Sequence, residues 1–170
     1  MGHINIQQLK TPYGELILGS HNNQLCLCDW QDRDKRDAVD SRLKNGLKAE
    51  YIERDDSVLM ETRKQLEEYF NQTRKTFDIP VLMVGSSFQK QVWKQLLTVP
   101  FGQTWSYLQL AEKISDRNAV RAVAGANAAN AISIIIPCHR IIGSNGKLVG
   151  YAGGMRTKAD LLSLEFELFN

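Results

Sequence analysis

The sequence predicts an α+β chain of two parts, a small N-terminal α/β domain followed by a mainly helical C-terminal domain that carries a helix-turn-helix. Three observations lead there. The first 30 residues alternate apolar and polar positions in three short runs, INIQQL, GELILGS and QLCLCDW, with a turn at His21-Asn22-Asn23, which is the pattern of strands. From Ser86 the spacing becomes helical, with Phe88, Val92 and Leu96 four residues apart. Between these regions Thr76 to Gly85, which contains Ile79-Pro80, reads as a linker, so the boundary separates residues 1–84 from 85–170.

The three N-terminal runs should form a small antiparallel sheet. Residues 31–56 are dense in charges of both signs and suit a surface helix or loop, and Asp56-Ser57 then opens a helix through Leu59, Leu66 and Phe70. In the second half the helix from Ser86 should end at Pro100-Phe101-Gly102-Gln103. SYLQLAEKI follows, then the turn Ser115-Asp116-Arg117-Asn118, then AVRAVAGANAAN, a helix that Asn118 could cap. Two short helices across a tight polar turn outline a helix-turn-helix, although plain bundles contain such hairpins too. The β-branched run ISIII then enters Pro137-Cys138-His139-Arg140, and Ser144-Asn145-Gly146-Lys147 predicts a hairpin turn between Ile141-Ile142 and Leu148-Val149. A loop rich in glycine, Gly150 to Gly154, precedes the last helix, TKADLLSLEFELF.

Composition narrows the function classes. A chain of 170 residues with 43% hydrophobic content can bury a real core. The N-terminal MGHINIQQLK lacks a signal-like apolar run, and no segment approaches the roughly 20 apolar residues of a membrane span. The expectation is a soluble, cytoplasmic protein. Three cysteines make no disulfide framework, which leaves the thiols free for chemistry. Residues 1–85 hold 12 Lys and Arg against 14 Asp and Glu, whereas residues 86–170 hold 9 against 5. The second half is thus basic, which is compatible with a polyanion partner but equally with solvated surface charge.

The residues with most chemical potential lie in that half. Cysteine is often buried and inert. At Cys138, however, a proline removes a backbone donor, and His139 and Arg140 are costly to bury unpaired while lowering a thiol pKa. Adjacent residues of an extended strand face opposite ways, so His139 can serve Cys138 only through a bend or a water. Glu165, on the last helix, is either a solvated charge or the carboxylate that completes a Cys-His-Glu relay. Arg121 precedes Ala122, Ala124, Gly125 and Ala126, small residues that permit either tight helix packing or close approach to nucleic acid. Cys26 and Cys28 share a strand face with Trp30. No spacing in the chain matches a four-ligand zinc set, so they read as core thiols.

Taken together, SYLQLA, AVRAVAGANAAN, PCHRIIG, GYAGG and LLSLE are similar in type and order to the O6-alkylguanine-DNA alkyltransferase family, closely over about residues 86–168. TPYGELIL and LCLCDW resemble that family's smaller, ribonuclease H-like domain more loosely. The resemblance implies that Cys138 accepts the alkyl group from guanine O6 in one displacement and keeps it, with no cofactor. It implies that His139 acts through a water as base, that Glu165 polarises that relay, that Asn130 joins the site's hydrogen bonds, and that Arg140 is structural. It further implies that the base is flipped from duplex DNA, with Arg121 filling the gap and Tyr107 easing the flip and donating a proton. Ala122, Gly125 and Ala126 would lie against the minor groove, while Tyr151, Ala152 and Gly153 would cover the flipped base.

Two departures from the family pattern stand out. Many members of that family carry Gly-Asn-Pro where this chain has Ala129-Asn130-Ala131, and the zinc ligands of some animal members have no counterpart here, so no metal is expected. The implied partner is double-stranded DNA with alkylated bases, bound by a monomer. Three rival readings predict different behaviour: a damage-sensing relative lacks the acceptor cysteine, a regulatory helix-turn-helix binds one operator, and a thiol hydrolase turns over.

Overall fold

The computed structural model describes residues 2–114 and 117–167. Ser115 and Asp116 of the expected turn, and Leu168-Phe169 of the expected last helix, lie outside them. The chain divides into two compact units, Met1–Gly85 and Ser86–Asn170.

In the first unit β1 (Gly2–Thr11), β2 (Gly14–His21) and β3 (Gln24–Trp30) form an antiparallel meander. Asn22 and Asn23 both take positive φ, 50° and 63°, the backbone that a tight two-residue hairpin turn requires. Helix α1 (Arg36–Leu47) leads to β4 (Ala49–Glu53), which pairs parallel to β1 and gives the order β3-β2-β1-β4. The sheet is therefore mixed rather than antiparallel. Its fourth strand hid in the charge-dense stretch because it is an edge strand: Glu50 and Glu53 are exposed and only Ala49 is buried. Helix α2 (Ser57–Phe70) is capped by Asp56, whose carboxylate accepts from the Leu59 N–H at 2.8 Å. The expected linker is also corrected. Leu25 N–H donates to the Pro80 carbonyl and Leu82 N–H to the Leu25 carbonyl, each at 2.8 Å, so residues 80–82 bridge β3 in parallel. Pro80 lacks a donor but supplies an acceptor, as proline does at a sheet edge. Cys26 and Cys28 are buried among Leu25 and Leu27, and burial pushes the Cys26 thiol up to about 12. Both are core residues.

In the second unit α3 (Ser87–Leu96) begins with a capping box between Ser86 and Gln89 and buries Val92, Trp93 and Leu96. A two-residue strand β5 (Trp105–Ser106) leads into α4 (Tyr107–Ile114), and α5 (Val120–Ala128) packs on α3 and α4. Trp93 Nε1 donates to the Ala126 carbonyl at 2.8 Å, which locks α3 to α5. Asn118 does not hold the cap position of α5. It lies in a 3-10 turn, Arg117–Ala119, and Ala119 occupies the cap with no side-chain bond.

Strand β6 (Ile141–Ile142) pairs parallel with β5, not with Leu148-Val149. The turn at residues 143–147 forms, with Gly143 N–H donating to the Lys147 carbonyl at 2.8 Å, but no second hairpin strand follows. The ISIII run is not a strand either. Its residues are buried in successive turns, and Ile134 has φ +70°, a strained value for a β-branched residue. Helix α6 (Met155–Glu167) buries Leu161, Leu162 and Leu164. Among the described residues no helix is long and apolar enough to cross a membrane.

Candidate active site

The bend that His139 needs is present. Cys138–Arg140 form a 3-10 turn in which the Cys138 N–H donates to Ile136 and the Arg140 N–H to Pro137. Three residues per turn fan the side chains apart by about 120° instead of alternating them across a sheet. All three point into the protein, Cys138 3%, His139 0% and Arg140 6% exposed.

Glu165 of α6 is fully buried and receives two of these side chains. His139 Nε2 lies 2.6 Å from Glu165 Oε2, while Arg140 donates through Nε to Oε1 at 2.8 Å and through a terminal nitrogen to Oε2 at 3.1 Å. A further Arg140 nitrogen donates to the Val99 carbonyl at 2.8 Å. Burial works to raise the Glu165 carboxyl, but His139 and Arg140 outweigh it and hold the group well below the usual carboxylate range. Burial pushes the His139 imidazole down, against the pull of Glu165. The ring is therefore neutral at pH 7, and the carboxylate fixes its proton on Nε2. Nδ1 is buried, and among the described residues it has no hydrogen-bond partner.

Asn130, directly after the end of α5, organises the thiol. Its amide nitrogen contacts Cys138 Sγ at 3.2 Å and the Ile136 carbonyl at 2.9 Å, and its oxygen accepts from the Ile132 N–H at 3.0 Å. The last bond closes an Asx turn, so the side chain of Asn130 itself shapes the turn after α5. Ala131, the next residue, is buried. Asn127 donates to the Cys138 carbonyl at 3.4 Å.

Two tyrosines lie near the PCHR turn. Tyr107, the first residue of α4, donates its hydroxyl to the Val149 carbonyl at 3.2 Å, and burial together with the facing Cys138 raises its phenol. The Tyr151 ring meets the His139 ring edge-on, centroids 6.4 Å apart, with half-buried Ala152 and Gly153 following. Gly150 and Gly154 take φ of +54° and +93°, which glycine adopts without strain.

The structure thus brings Cys138, His139, Glu165, Asn130, Tyr107 and Tyr151 together. Arg121, Ala122 and Gly125 lie apart from the thiol on the exposed face of α5, and space beside Gly125 is open. Ala126 does not join that face. It is 4% exposed and its carbonyl binds Trp93, because one step along the helix turns a side chain by about 100°. The sequence reading missed Lys158 entirely. This lysine of α6 is fully buried, whereas a lysine in a helical pattern ordinarily reads as surface. No cluster of three or more His, Cys, Asp or Glu able to hold a metal occurs among the described residues.

The chain matches two family models, the 6-O-methylguanine DNA methyltransferase ribonuclease-like domain over residues 6–83 and the DNA binding domain of the same family over residues 87–167. It is 38% identical over 163 residues to a methylated-DNA–protein-cysteine methyltransferase of Mycobacterium leprae, covering 95% of this chain and 92% of that one. A protein of the same name from Methanosarcina barkeri is 40% identical over 157 residues, covering 92% and 94%. The crystal structure of the Mycobacterium tuberculosis O6-methylguanine methyltransferase superposes with a TM-score of 0.82 at 35% identity, over 96% of this chain and 93% of that one. A structure of that organism's OGT in complex with DNA superposes with a TM-score of 0.81 at 35% identity, covering 99% of each. With both of its halves matched in order, the chain belongs to the 6-O-methylguanine DNA methyltransferase family.

Proposed function

We propose that this protein repairs DNA by moving the alkyl group of O6-alkylguanine irreversibly to Cys138. The observation that carries the proposal is the buried set of a thiol bonded by Asn130, a neutral imidazole with a free Nδ1, and a carboxylate holding that imidazole's other nitrogen. Nδ1 takes the thiol proton through a water, and Glu165 stabilises the imidazolium that forms. The sulfur attacks the alkyl carbon, forming the S–C bond as the C–O6 bond breaks. The electron pair leaves with the guanine, the Tyr107 phenol, kept protonated by its raised pKa, supplies a proton to the ring, and the proton held on His139 returns through water to the phenolate, so that the thiol proton ends on guanine.

Duplex DNA hides this carbon, so the base is flipped toward Cys138 beneath Tyr151, Ala152 and Gly153. Arg121, Ala122 and Gly125 form the exposed helical face that lies against the duplex, with Arg121 entering the vacated stack. Residues 85–170 therefore bind DNA and accept the alkyl group, while residues 1–84 form the other domain. Three free cysteines suit a reducing, cytoplasmic setting.

A thioether is not reversed by water, so each molecule acts once. Titration with DNA containing O6-methylguanine should consume one lesion per active molecule and raise the intact mass by one methylene, with fragmentation placing it on Cys138. Sustained turnover, or the added mass on Cys26, would overturn the assignment. Arg121→Ala should slow repair of duplex substrate far more than reaction with free O6-methylguanine base, because a free base leaves no gap to fill. Single-turnover rates on the two substrates check this, and equal losses would count against it.

A further inference from the structure

Lys158 has no exposed surface, yet among the described residues no carboxylate pairs with it. Burying an ammonium is costly unless each of its protons is bonded. Here three protons meet three carbonyls, those of Ile141 at 2.5 Å, Val149 at 3.0 Å and Gly150 at 3.2 Å. These acceptors come from two places that the chemistry must keep in register. Ile141 directly follows the PCHR turn, whereas Val149 and Gly150 open the loop that carries Tyr151. The Val149 carbonyl also accepts the Tyr107 hydroxyl, so Lys158 and Tyr107 share one anchor.

We propose that Lys158 is a positioning residue for the transfer reaction, its ammonium clipping Val149 and Gly150 to Ile141 and so fixing Tyr107 and Tyr151 relative to Cys138. The inference rests on the transfer chemistry proposed above. It also makes the site responsive to alkali. The groups facing Lys158 are the Tyr107 ring, 5.9 Å from Nζ, the Cys138 thiol and the His139 imidazole. Burial brings Lys158 from its ordinary 10.5 down to about 8, with Cys138 pulling the other way. Above that pH the neutral amine has two N–H groups for three carbonyls, and the clip loosens.

The sign of the stability effect separates loosening from unfolding. The folded chain binds fewer protons at Lys158 than the unfolded chain between about 8 and 10.5, so this group makes the fold more stable as pH rises there. A rate that falls over the same window therefore reports the site. Tyr107 is raised and His139 lowered from their ordinary values, so neither supplies a falling limb near pH 8.

The test compares wild type, Lys158→Met and Lys158→Arg in single-turnover transfer from DNA containing O6-methylguanine across pH, with affinity for the same DNA measured separately. Wild type should lose rate above about pH 8. Lys158→Arg should move that limb to higher pH, since a guanidinium stays charged. Lys158→Met should be slower on the order of 100-fold at neutral pH, the cost of a site misplaced by about 1 Å, with DNA affinity little changed. Lys158→Met transferring at the wild-type rate, or an alkaline limb shared by wild type and Lys158→Arg, would overturn the clip. If thermal melting shows Lys158→Met unfolded, the comparison of the two limbs decides alone. Failure of wild type itself to gain the methylene would overturn the transfer reading, whereas wild-type transfer with unmoved variants would overturn only the clip.

Discussion

Cys138→Ser should abolish methyl transfer and leave affinity for DNA containing O6-methylguanine near that of wild type. The thiol is 3% exposed inside the 3-10 turn, where a hydroxyl fits and can still receive the Asn130 amide proton. What is lost is the nucleophile, since an alcohol does not ionise under conditions where a thiol does. The exposed face of α5 proposed to meet DNA, Arg121 with Ala122 and Gly125, is untouched. Intact mass after incubation reads transfer, and a fluorescence titration reads binding. Retained transfer in this variant would remove Cys138 from the acceptor position, and collapse of binding would make the residue structural.

Glu165→Gln carries the second large effect, on rate and on stability together. Without the carboxylate His139 loses the partner that fixes its tautomer, and general-base assistance of this kind is worth about 10²- to 10⁴-fold. Arg140 loses the anion that binds two of its nitrogens, and an uncompensated buried guanidinium destabilises by about 3–5 kcal/mol. The pH dependence follows from the signs. The folded-state pKa of Glu165 is depressed, so its stabilisation is present above the unfolded carboxylate range and is lost as pH falls. His139, also depressed, adds a loss that begins as pH falls through the ordinary histidine range. Denaturant melts across pH should show both losses in wild type and only the histidine part in Glu165→Gln. Single-turnover rates measured beside DNA affinity separate chemistry from folding, and an unchanged rate would end the relay.

What the sequence disclosed tracks how local each signal is. The turn between β2 and β3, the helix opening at Asp56-Ser57 and the helix from Ser86 depend on neighbours a few residues apart, and all appear in the structure. Strand β4 and the bridge at residues 80–82 depend on distant partners, and their own composition argues against strand. The ISIII run shows the reverse, a stretch of strand-formers that the structure bends into turns while burying every one of them. In the site, Cys138 and His139 stood out from their local setting, whereas Asn130, and the choice of the relay role for Glu165, entered only through the family resemblance. Arg140 was read as structural, but its fork on Glu165 was not, since nothing local says which carboxylate a buried arginine meets. Ala126 was misplaced because a string of small residues conceals where a helix turns inward.

The bent run has a cost outside the folded state. From Ala122 to Ile136 the chain carries no charge, and it closes on Ala131-Ile132-Ser133-Ile134-Ile135-Ile136, six residues of which four are isoleucines of high strand preference. Such a segment, once released from its turns, favours pairing with copies of itself. Pro137 and Arg140 guard its C-terminal side, but on the other side the nearest charge is Arg121. The turns that hold Cys138 in place therefore also keep this segment sequestered, and a molecule that loses them is drawn toward aggregation rather than back to its native fold.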